Sequence, residues 1–214
     1  MTKTNKKSNT SNLFRKIKNK LGSSQAGSLE QVEEKLLENA SNPISTHQNP
    51  YYSPDQVNVL FLSKRGLSRA PLAREVMRKL LHFSDHFGSI RPSARGISDA
   101  YDFCPFDKRM AQAAEKFGYQ LSGNSRRVNM AELSSANLII TLDRESEEHI
   151  KSRKFYIRGQ VRPVGLFLSA GESPYIADPF DREDTVDARA NYNHIIRSLE
   201  FACSNLLKQL PSLV

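Results

Sequence analysis

The stretch that decides the fold is "VNVLFLSKRGLSRAPLAREVMRKLL", from Val57 to Leu81. It begins with an apolar run short enough for a buried strand, and residues 71–83 have the spacing of an amphipathic helix. Between them lies a short loop with Gly66 near its centre and Arg69 near its end. A strand, a glycine-containing loop and a helix N-terminus form a common phosphate-binding arrangement, because their backbone N–H groups point at the anion.

Strands and helices alternate along the rest of the chain. Further strands are predicted at 89–94, 136–142 and 164–168, and helices at 107–117, 145–151 and 185–210. This alternation predicts an α/β fold, with helices on both faces of a four-stranded parallel sheet. Ligands of such sheets bind beyond the C-terminal ends of the strands. The loop that follows Leu62 is predicted to lie at one of these ends.

The composition is that of an ordinary soluble protein, with 38% hydrophobic and 25% charged residues among 214. No apolar run approaches the roughly 18 residues of a membrane span. The basic N-terminus has no apolar stretch behind it, so a secretory signal is not expected. The two cysteines, Cys104 and Cys203, form no CxxC or metal-ligand pattern. We therefore expect no disulfide, no metal site, no cofactor and a cytoplasmic location.

Residues 1–56 are predicted to be a basic, flexible and partly helical extension that ends in a proline-rich linker, and residues 57–214 to be the folded domain. The formal net charge is +8, and seven basic residues without any acidic one lie within residues 1–21. An anionic partner attracted by this charge would therefore bind the extension and not the folded domain, and no specific nucleic-acid partner is expected.

Residues 11–22 have the pattern of a basic amphipathic helix, whose apolar face would consist of Leu13, Phe14, Ile17 and Leu21. Such a helix would suit peripheral binding to an anionic membrane surface or to an acidic protein partner. The third alternative is a solvated extension without a partner, because one short helix is marginally stable alone.

Cosedimentation with lipid vesicles distinguishes these alternatives. If the extension binds membranes, the full chain should bind anionic but not neutral vesicles, because each basic residue near an anionic surface contributes about 1 kcal/mol. A chain that lacks residues 1–22 should bind neither kind. Equal binding by the shortened chain would reject the membrane hypothesis, and no binding by either chain would favour a protein partner.

From Val57 onward the chain resembles the low-molecular-weight protein tyrosine phosphatases, a family with related arsenate reductases. The family motif is a strand followed by Cys, five residues, Arg, Ser and Pro, and "SKRGLSRAP" at 63–71 follows this spacing. A second landmark, Asp-Pro-aromatic, matches residues 178–180. Shorter matches in the same order are "SAR" at 93–95, "PFDKRMAQAAEKFGYQL" at 105–121, "SRRV" at 125–128 and "LIITLD" at 138–143. The resemblance covers about 57–210 and implies a three-layer fold of the phosphotyrosine protein phosphatase I type.

The resemblance also implies a set of site residues. Arg69 would bind two phosphate oxygens with its planar guanidinium, and Asp178 would be the general acid. Ser63 would take the position of the nucleophile. Tyr101 and Phe180 would be the walls that hold an aromatic ring. The loop residues that would bind phosphate are Lys64, Arg65, Gly66, Leu67, Ser68 and Arg69.

The chain departs from the family pattern within this loop. The nucleophile of the family is a thiolate, whereas Ser63 is an alcohol, whose intrinsic pKa lies far above the pKa of about 8.5 of a thiol. No histidine lies in the motif to act as a base, and Ala70 replaces the serine after the arginine. Arg65 and Gly66 replace the usual glycine and asparagine. These departures predict a catalytically impaired phosphatase-like protein, a pseudophosphatase, that still binds phosphate, a phosphorylated protein or a small phosphate ester.

Three alternatives stay open. The chain could be an active phosphomonoester or phosphotyrosine phosphatase, or one inactivated by an engineered cysteine-to-serine change, although such a change does not account for Arg65, Gly66 and Ala70. It could be a scaffold or assembly protein that uses its extension and outer surface. In a purely structural interpretation, the Ser63 hydroxyl bonds a local N–H and Arg69 pairs with a carboxylate.

Overall fold

The computed structural model describes residues 56–182 and 188–213, so residues 1–55 of the predicted extension, including its amphipathic helix, lie outside the described residues. The strands are β1, Val57–Ser63; β2, Ile90–Gly96; β3, Leu138–Thr141; and β4, Gln160–Pro163. The helices are α1, Arg69–His82; α2, Lys108–Glu115; α3, Met130–Ser135; α4, Arg144–Lys151; and α5, Ala188–Gln209. In the part of the chain that is described, no helix has both the length and the apolar character needed to span a membrane.

The four strands form one parallel sheet in the order β2-β1-β3-β4. Successive side chains of β1 point to opposite faces, as the period of two requires. Val59 and Phe61 join one apolar cluster with residues of α1, α2 and α5, whereas Leu60 and Leu62 join a second cluster with residues of α3 and α4. Both faces of the sheet are therefore covered by helices, and the predicted three-layer α/β fold is confirmed.

The strand order explains where the loop after β1 lies. The chain leaves β1 towards β2 on one side, and later returns to place β3 on the other side. A sheet of this kind has a crevice where the order of strands reverses, at the C-terminal ends of the strands. The C-terminal ends of β1 and β3 are adjacent, with Leu62 paired to Thr141. The loop at 63–69 and the segment that begins at Leu142 therefore meet at this edge.

One predicted strand needs correction, and one short helix was missed. The strand predicted at 164–168 is wrong, because β4 is Gln160–Pro163 and residues Val164–Phe167 form a 3-10 turn. Val164 and Phe167 are buried in the core at a spacing of three, which is the period of that turn. Helix α3 was not predicted, although Asn129 and Glu132 form a capping box at its start.

The loop packs directly on the end of β2 through two glycines. Gly66 has a φ of +70°, and a Cβ added to it would lie 2.6 Å from the backbone nitrogen of Gly96 and 2.6 Å from Oγ of Ser125. A Cβ on Gly96 would in turn lie 2.7 Å from the carbonyl oxygen of Arg65. The Ser125 hydroxyl donates to that same carbonyl at 3.0 Å. The absence of both side chains therefore allows the loop to approach the sheet this closely.

We expect Gly66→Ala to lower the free energy of unfolding by about 2–4 kcal/mol, because it adds steric overlap to a left-handed backbone. Gly88→Ala is the matched control. Gly88 has a φ of +84° with no atom near the added Cβ, so only the backbone cost of roughly 1 kcal/mol applies. Urea unfolding of both variants measures the difference. Equal losses would contradict a close contact between the loop and β2.

Candidate functional site

The loop that connects β1 to α1 is held in shape by hydrogen bonds from inside the protein. The Ser63 side chain is 2% exposed, and its Oγ accepts the N–H of Gly66 at 3.2 Å. The N–H of Lys64 donates to Oδ2 of Asp143 at 2.8 Å. Two of the loop amides therefore have acceptors in the protein, and the hydroxyl of Ser63 takes part in the fold of its own loop.

The second half of the loop is fixed to the start of α2. The carbonyl oxygen of Leu67 accepts the N–H of Asp107 at 3.0 Å, and the Ser68 hydroxyl donates to Oδ2 of Asp107 at 3.1 Å. Asp107 is also the N-cap of α2, because its Oδ1 accepts the N–H of Arg109. Leu67 and Ser68 are both buried. Their roles in this structure are packing and anchoring.

Arg69 is the first residue of α1 and is only 3% exposed. Its Nη2 donates to Oδ2 of Asp143 at 2.8 Å and to Oδ2 of Asp178 at 2.6 Å, and its Nη1 donates to the carbonyl oxygen of Ile176 at 2.6 Å. Three protein oxygens thus accept hydrogen bonds from the guanidinium. The purely structural interpretation of the sequence expected two contacts, a local N–H donating to the Ser63 hydroxyl and a carboxylate paired with Arg69. Both contacts are present.

Asp143 is the residue of this site that sequence reasoning missed. It follows β3 and caps α4, where its Oδ1 accepts the N–H of Ser146 at 2.9 Å. Its other oxygen accepts from both Lys64 and Arg69. The sequence did contain a signal, because Asp143 comes directly after a buried strand and precedes a serine at the spacing of a capping box.

Asp178 lies next to the loop in space, although it is 109 residues away from Arg69 along the chain, and it is 8% exposed. It begins a tight turn, in which its Oδ1 accepts the N–H of Phe180 at 3.2 Å and its carbonyl oxygen accepts the N–H of Asp181 at 3.1 Å. Residues Pro179–Arg182 continue as a 3-10 turn. This turn brings the Phe180 ring and the Asp181 carboxylate to the same edge as the loop.

Arg65 lies against both of the rings that were predicted to hold an aromatic substrate. Its Cζ is 5.6 Å from the ring centroid of Tyr101 and 5.0 Å from that of Phe180, both within cation–π range. Its Nε donates to the Tyr101 hydroxyl at 3.3 Å. The predicted walls are therefore brought together, but with a guanidinium from the loop in contact with both.

The charge of Arg65 is balanced by the acidic turn. Its Nη1 lies 2.9 Å from Oδ2 of Asp178 and 3.6 Å from Oδ1 of Asp181. These contacts are ion pairs by proximity, since this buried nitrogen makes no hydrogen bond to any residue that the structure describes. Burial opposes the charge of Arg65, but the Tyr101 hydroxyl and the two carboxylates outweigh it and raise its pKa above the ordinary value.

Lys64 lies at the exposed rim of the site. Its Nζ is 2.9 Å from Oε1 of Glu145, in the first turn of α4. The hydrogen bond between them raises the pKa of Lys64 and lowers the pKa of Glu145. Because both side chains are well exposed, this pair contributes little to stability.

Neither cysteine lies among these contacts. Cys203 is buried on α5, and burial raises the pKa of its thiol, so it is unreactive. Cys104 is half-buried in the segment after Tyr101, and its Sγ is 4.0 Å from the carbonyl oxygen of Ala100. Within residues 56–182 and 188–213, no group of three or more metal-ligating side chains is found.

A comparison with known protein families identifies the domain. A family model described as low molecular weight phosphotyrosine protein phosphatase matches residues 58–213, well over half of the chain. This chain belongs to that family. It is 22% identical over 156 residues to a putative low molecular weight protein-tyrosine-phosphatase of Synechocystis, and the match covers 72% of this chain and 96% of that protein.

Solved structures of the phosphatase fold resemble the domain closely. A protein tyrosine phosphatase from Entamoeba histolytica superimposes with a TM-score of 0.66 at 21% identity, over 73% of this chain and 98% of that chain. YfkJ from Bacillus subtilis gives a TM-score of 0.63 at 18% identity, over 73% and 96% of the two chains. At these identities, the likeness supports the fold and not a particular activity.

The structure of this phosphatase-family domain brings the predicted site residues together at one edge of the sheet. Ser63, Arg65 and Arg69 come from the loop after β1, Tyr101 from the segment after β2, and Asp178 from the turn before α5. Their catalytic and binding roles stay predictions. Lys64 is at the rim, whereas Leu67 and Ser68 face the body of the domain.

Proposed function

We propose that this chain is a catalytically impaired phosphatase, a pseudophosphatase, that retains a phosphate-binding site at residues 63–69. The environment of Ser63 is the observation on which this proposal depends. Its buried hydroxyl accepts the N–H of Gly66, and no imidazole or carboxylate among the described residues is hydrogen-bonded to it. A serine attacks phosphorus only when a neighbouring base takes its proton. Ser63 therefore lacks the partner that nucleophilic catalysis requires.

The geometry around Asp178 supports the retention of anion binding. One oxygen of this carboxylate lies 2.6 Å from Nη2 of Arg69 and 2.9 Å from Nη1 of Arg65. An anionic oxygen thus already occupies a position between two guanidinium groups, near the N-terminus of the 14-residue helix α1. A phosphate oxygen in this position would make the same charge-assisted hydrogen bond with Arg69 and the same ion pair with Arg65. Phosphate binding would then be an exchange of one anion for another.

The family suggests which ligands this site would accept. Members are phosphatases by their family description, so inorganic phosphate, a phosphorylated protein or a small phosphate ester are the candidate ligands. Because a bound dianion would replace the single charge of Asp178, affinity is expected to be modest and to fall as salt increases.

Titration of the full chain with inorganic phosphate, monitored through backbone amide resonances, tests this proposal. The shifts should be confined to residues 63–70 and the segments that contact them. Asp178→Asn should strengthen binding about tenfold, which corresponds to roughly 1.4 kcal/mol, because it removes the competing charge. Arg69→Lys should weaken binding, because lysine lacks the planar fork. Shifts that avoid residues 63–70, or no response to Asp178→Asn, would reject the phosphate site.

Turnover of acetyl phosphate tests the loss of catalysis. This small substrate needs no space next to Tyr101 and Phe180. The chain should release phosphate no faster than its Ser63→Ala variant, because the hydroxyl has no base. Ser63→Cys should raise the rate at least about tenfold, because a thiolate attacks without a base. Adding Asp178→Ala should reduce that rate, because Asp178 would activate the water that releases phosphate from the phosphorylated cysteine. If the unmodified chain turns over acetyl phosphate and Ser63→Ala abolishes this turnover, the chain is an active phosphatase and the proposal of a catalytically impaired one is wrong.

The scaffold alternative rests on the structural contacts of the same residues. Arg69 is satisfied by two carboxylates and a carbonyl, and Ser63 by its own loop. If neither phosphate binding nor turnover is detected, these contacts stabilise the fold, and function would depend on other surfaces. Peripheral membrane binding or an acidic partner for residues 11–22 stays a prediction from the sequence.

A further inference from the structure

Arg65 occupies the place beside Tyr101 and Phe180 where a flat substrate group would bind. A guanidinium is planar, and here it lies against both rings while its Nε reaches the Tyr101 hydroxyl. The side chain is 19% exposed, so it fills the space next to the rings and does not extend into solvent. The aromatic ring of a ligand would therefore compete with this guanidinium for the faces of the Tyr101 and Phe180 rings.

The contacts of Arg65 come from three directions. The two rings provide cation–π attraction, the Tyr101 hydroxyl accepts a hydrogen bond, and Asp178 and Asp181 supply negative charge. Each cation–π contact at such a partly buried site adds to the attraction that holds the guanidinium in place. Displacing the guanidinium would break all these contacts at once, whereas binding a phosphate without a ring would break only those to Asp178.

We propose that Arg65 determines ligand specificity by filling the aryl subsite. In this assignment, which rests on the proposed function, the site accepts a phosphate group that brings no aromatic ring, such as inorganic phosphate or a small phosphate ester. It excludes aryl phosphates, including a phosphorylated tyrosine side chain, because their ring requires the space that Arg65 fills.

The backbone of Arg65 is fixed independently of its side chain. Its carbonyl oxygen accepts the Ser125 hydroxyl at 3.0 Å and lies against Gly96 at the end of β2. Removing the side chain therefore leaves the loop anchored. Asp178 keeps its hydrogen bond to Arg69, so no buried carboxylate loses its last partner. Arg65→Ala is expected to open the aryl subsite in a folded protein.

The test compares two ligands that have the same dianionic head group, methylphosphonate and benzylphosphonate. In the unmodified chain, benzylphosphonate should bind no tighter than methylphosphonate. In Arg65→Ala, the ratio of affinities should shift at least about tenfold towards benzylphosphonate, because the ring can then pack against Tyr101 and Phe180. Both dissociation constants are measured by calorimetry or by amide shifts at residues 63–70.

Lys64→Ala is the matched control, because it removes one positive charge from the adjacent loop position. Lys64 pairs with Glu145 at the rim and contacts neither ring. The control should change the affinities for both phosphonates by a similar factor and leave their ratio unchanged. A shift in the ratio as large as that of Arg65→Ala would attribute the effect to charge and overturn the proposal.

The outcomes separate this inference from the proposed function. If phosphate and methylphosphonate bind but Arg65→Ala leaves the ratio unchanged, the inference is wrong and the phosphate site stands. Tighter binding of benzylphosphonate than methylphosphonate by the unmodified chain would also overturn it. If neither phosphonate nor phosphate binds to any variant, both proposals fail.

A second variant and a direct readout protect the test against misfolding. Arg65→Gln keeps a shorter polar side chain that loses the charge and the cation–π contacts but still fills part of the space, so it should shift the ratio in the same direction by a smaller factor. In the unmodified chain, the Nε–H resonance of Arg65 should carry a ring-current shift from Tyr101 and Phe180. Adding phosphate should leave this ring-current shift largely in place. If the resonance shows no ring-current shift in the ligand-free protein, Arg65 does not lie against the rings and the proposal is wrong.

Discussion

The buried guanidinium of Arg69 is the group on which the structure of the candidate site depends. Removing a charged group from water is costly, and the cost is offset only when opposite charges and hydrogen bonds surround it. Here two carboxylates and one carbonyl oxygen provide those partners. Asp143 also caps α4 and binds the first loop amide, so the same carboxylate orients the loop, the arginine and a helix. The position of each element is constrained by the need to keep this one cation paired.

The cations of the site are paired before any ligand arrives. Arg65 and Arg69 face Asp143, Asp178 and Asp181, and Lys64 faces Glu145 at the rim. At the proposed phosphate site, an entering anion would meet guanidinium groups that already have partners, and its binding free energy would be the difference between two sets of ion pairs. In such a site, specificity can come from which internal contacts a ligand has to replace as much as from the contacts that it forms.

Hydrophobic pattern alone located most of the fold. The apolar run of β1 and the spacing of α1 are strong local signals, and the alternation of elements predicted the parallel sheet. Local pattern misplaced the fourth strand, because β4 is a short edge strand in which two of four side chains are polar, whereas the buried Val164 and Phe167 come from the turn after it. The resemblance to the phosphatases indicated Ser63, Arg69 and Asp178 as site residues. It could not indicate that Arg65 fills the space beside Tyr101 and Phe180, because the direction of a long side chain depends on carboxylates distant in sequence.

The pairing of Arg69 with Asp178 joins residues that are 109 positions apart in the chain. During synthesis, the strand, the loop and α1 are made long before the turn that carries Asp178, and domains generally fold as units. Contacts across such separations are also slow to form, because the loop-closure entropy has to be overcome first. The edge of the sheet that holds the loop is therefore completed only after the turn that carries Asp178 has been made, so an intact pairing marks a domain whose synthesis has passed this turn.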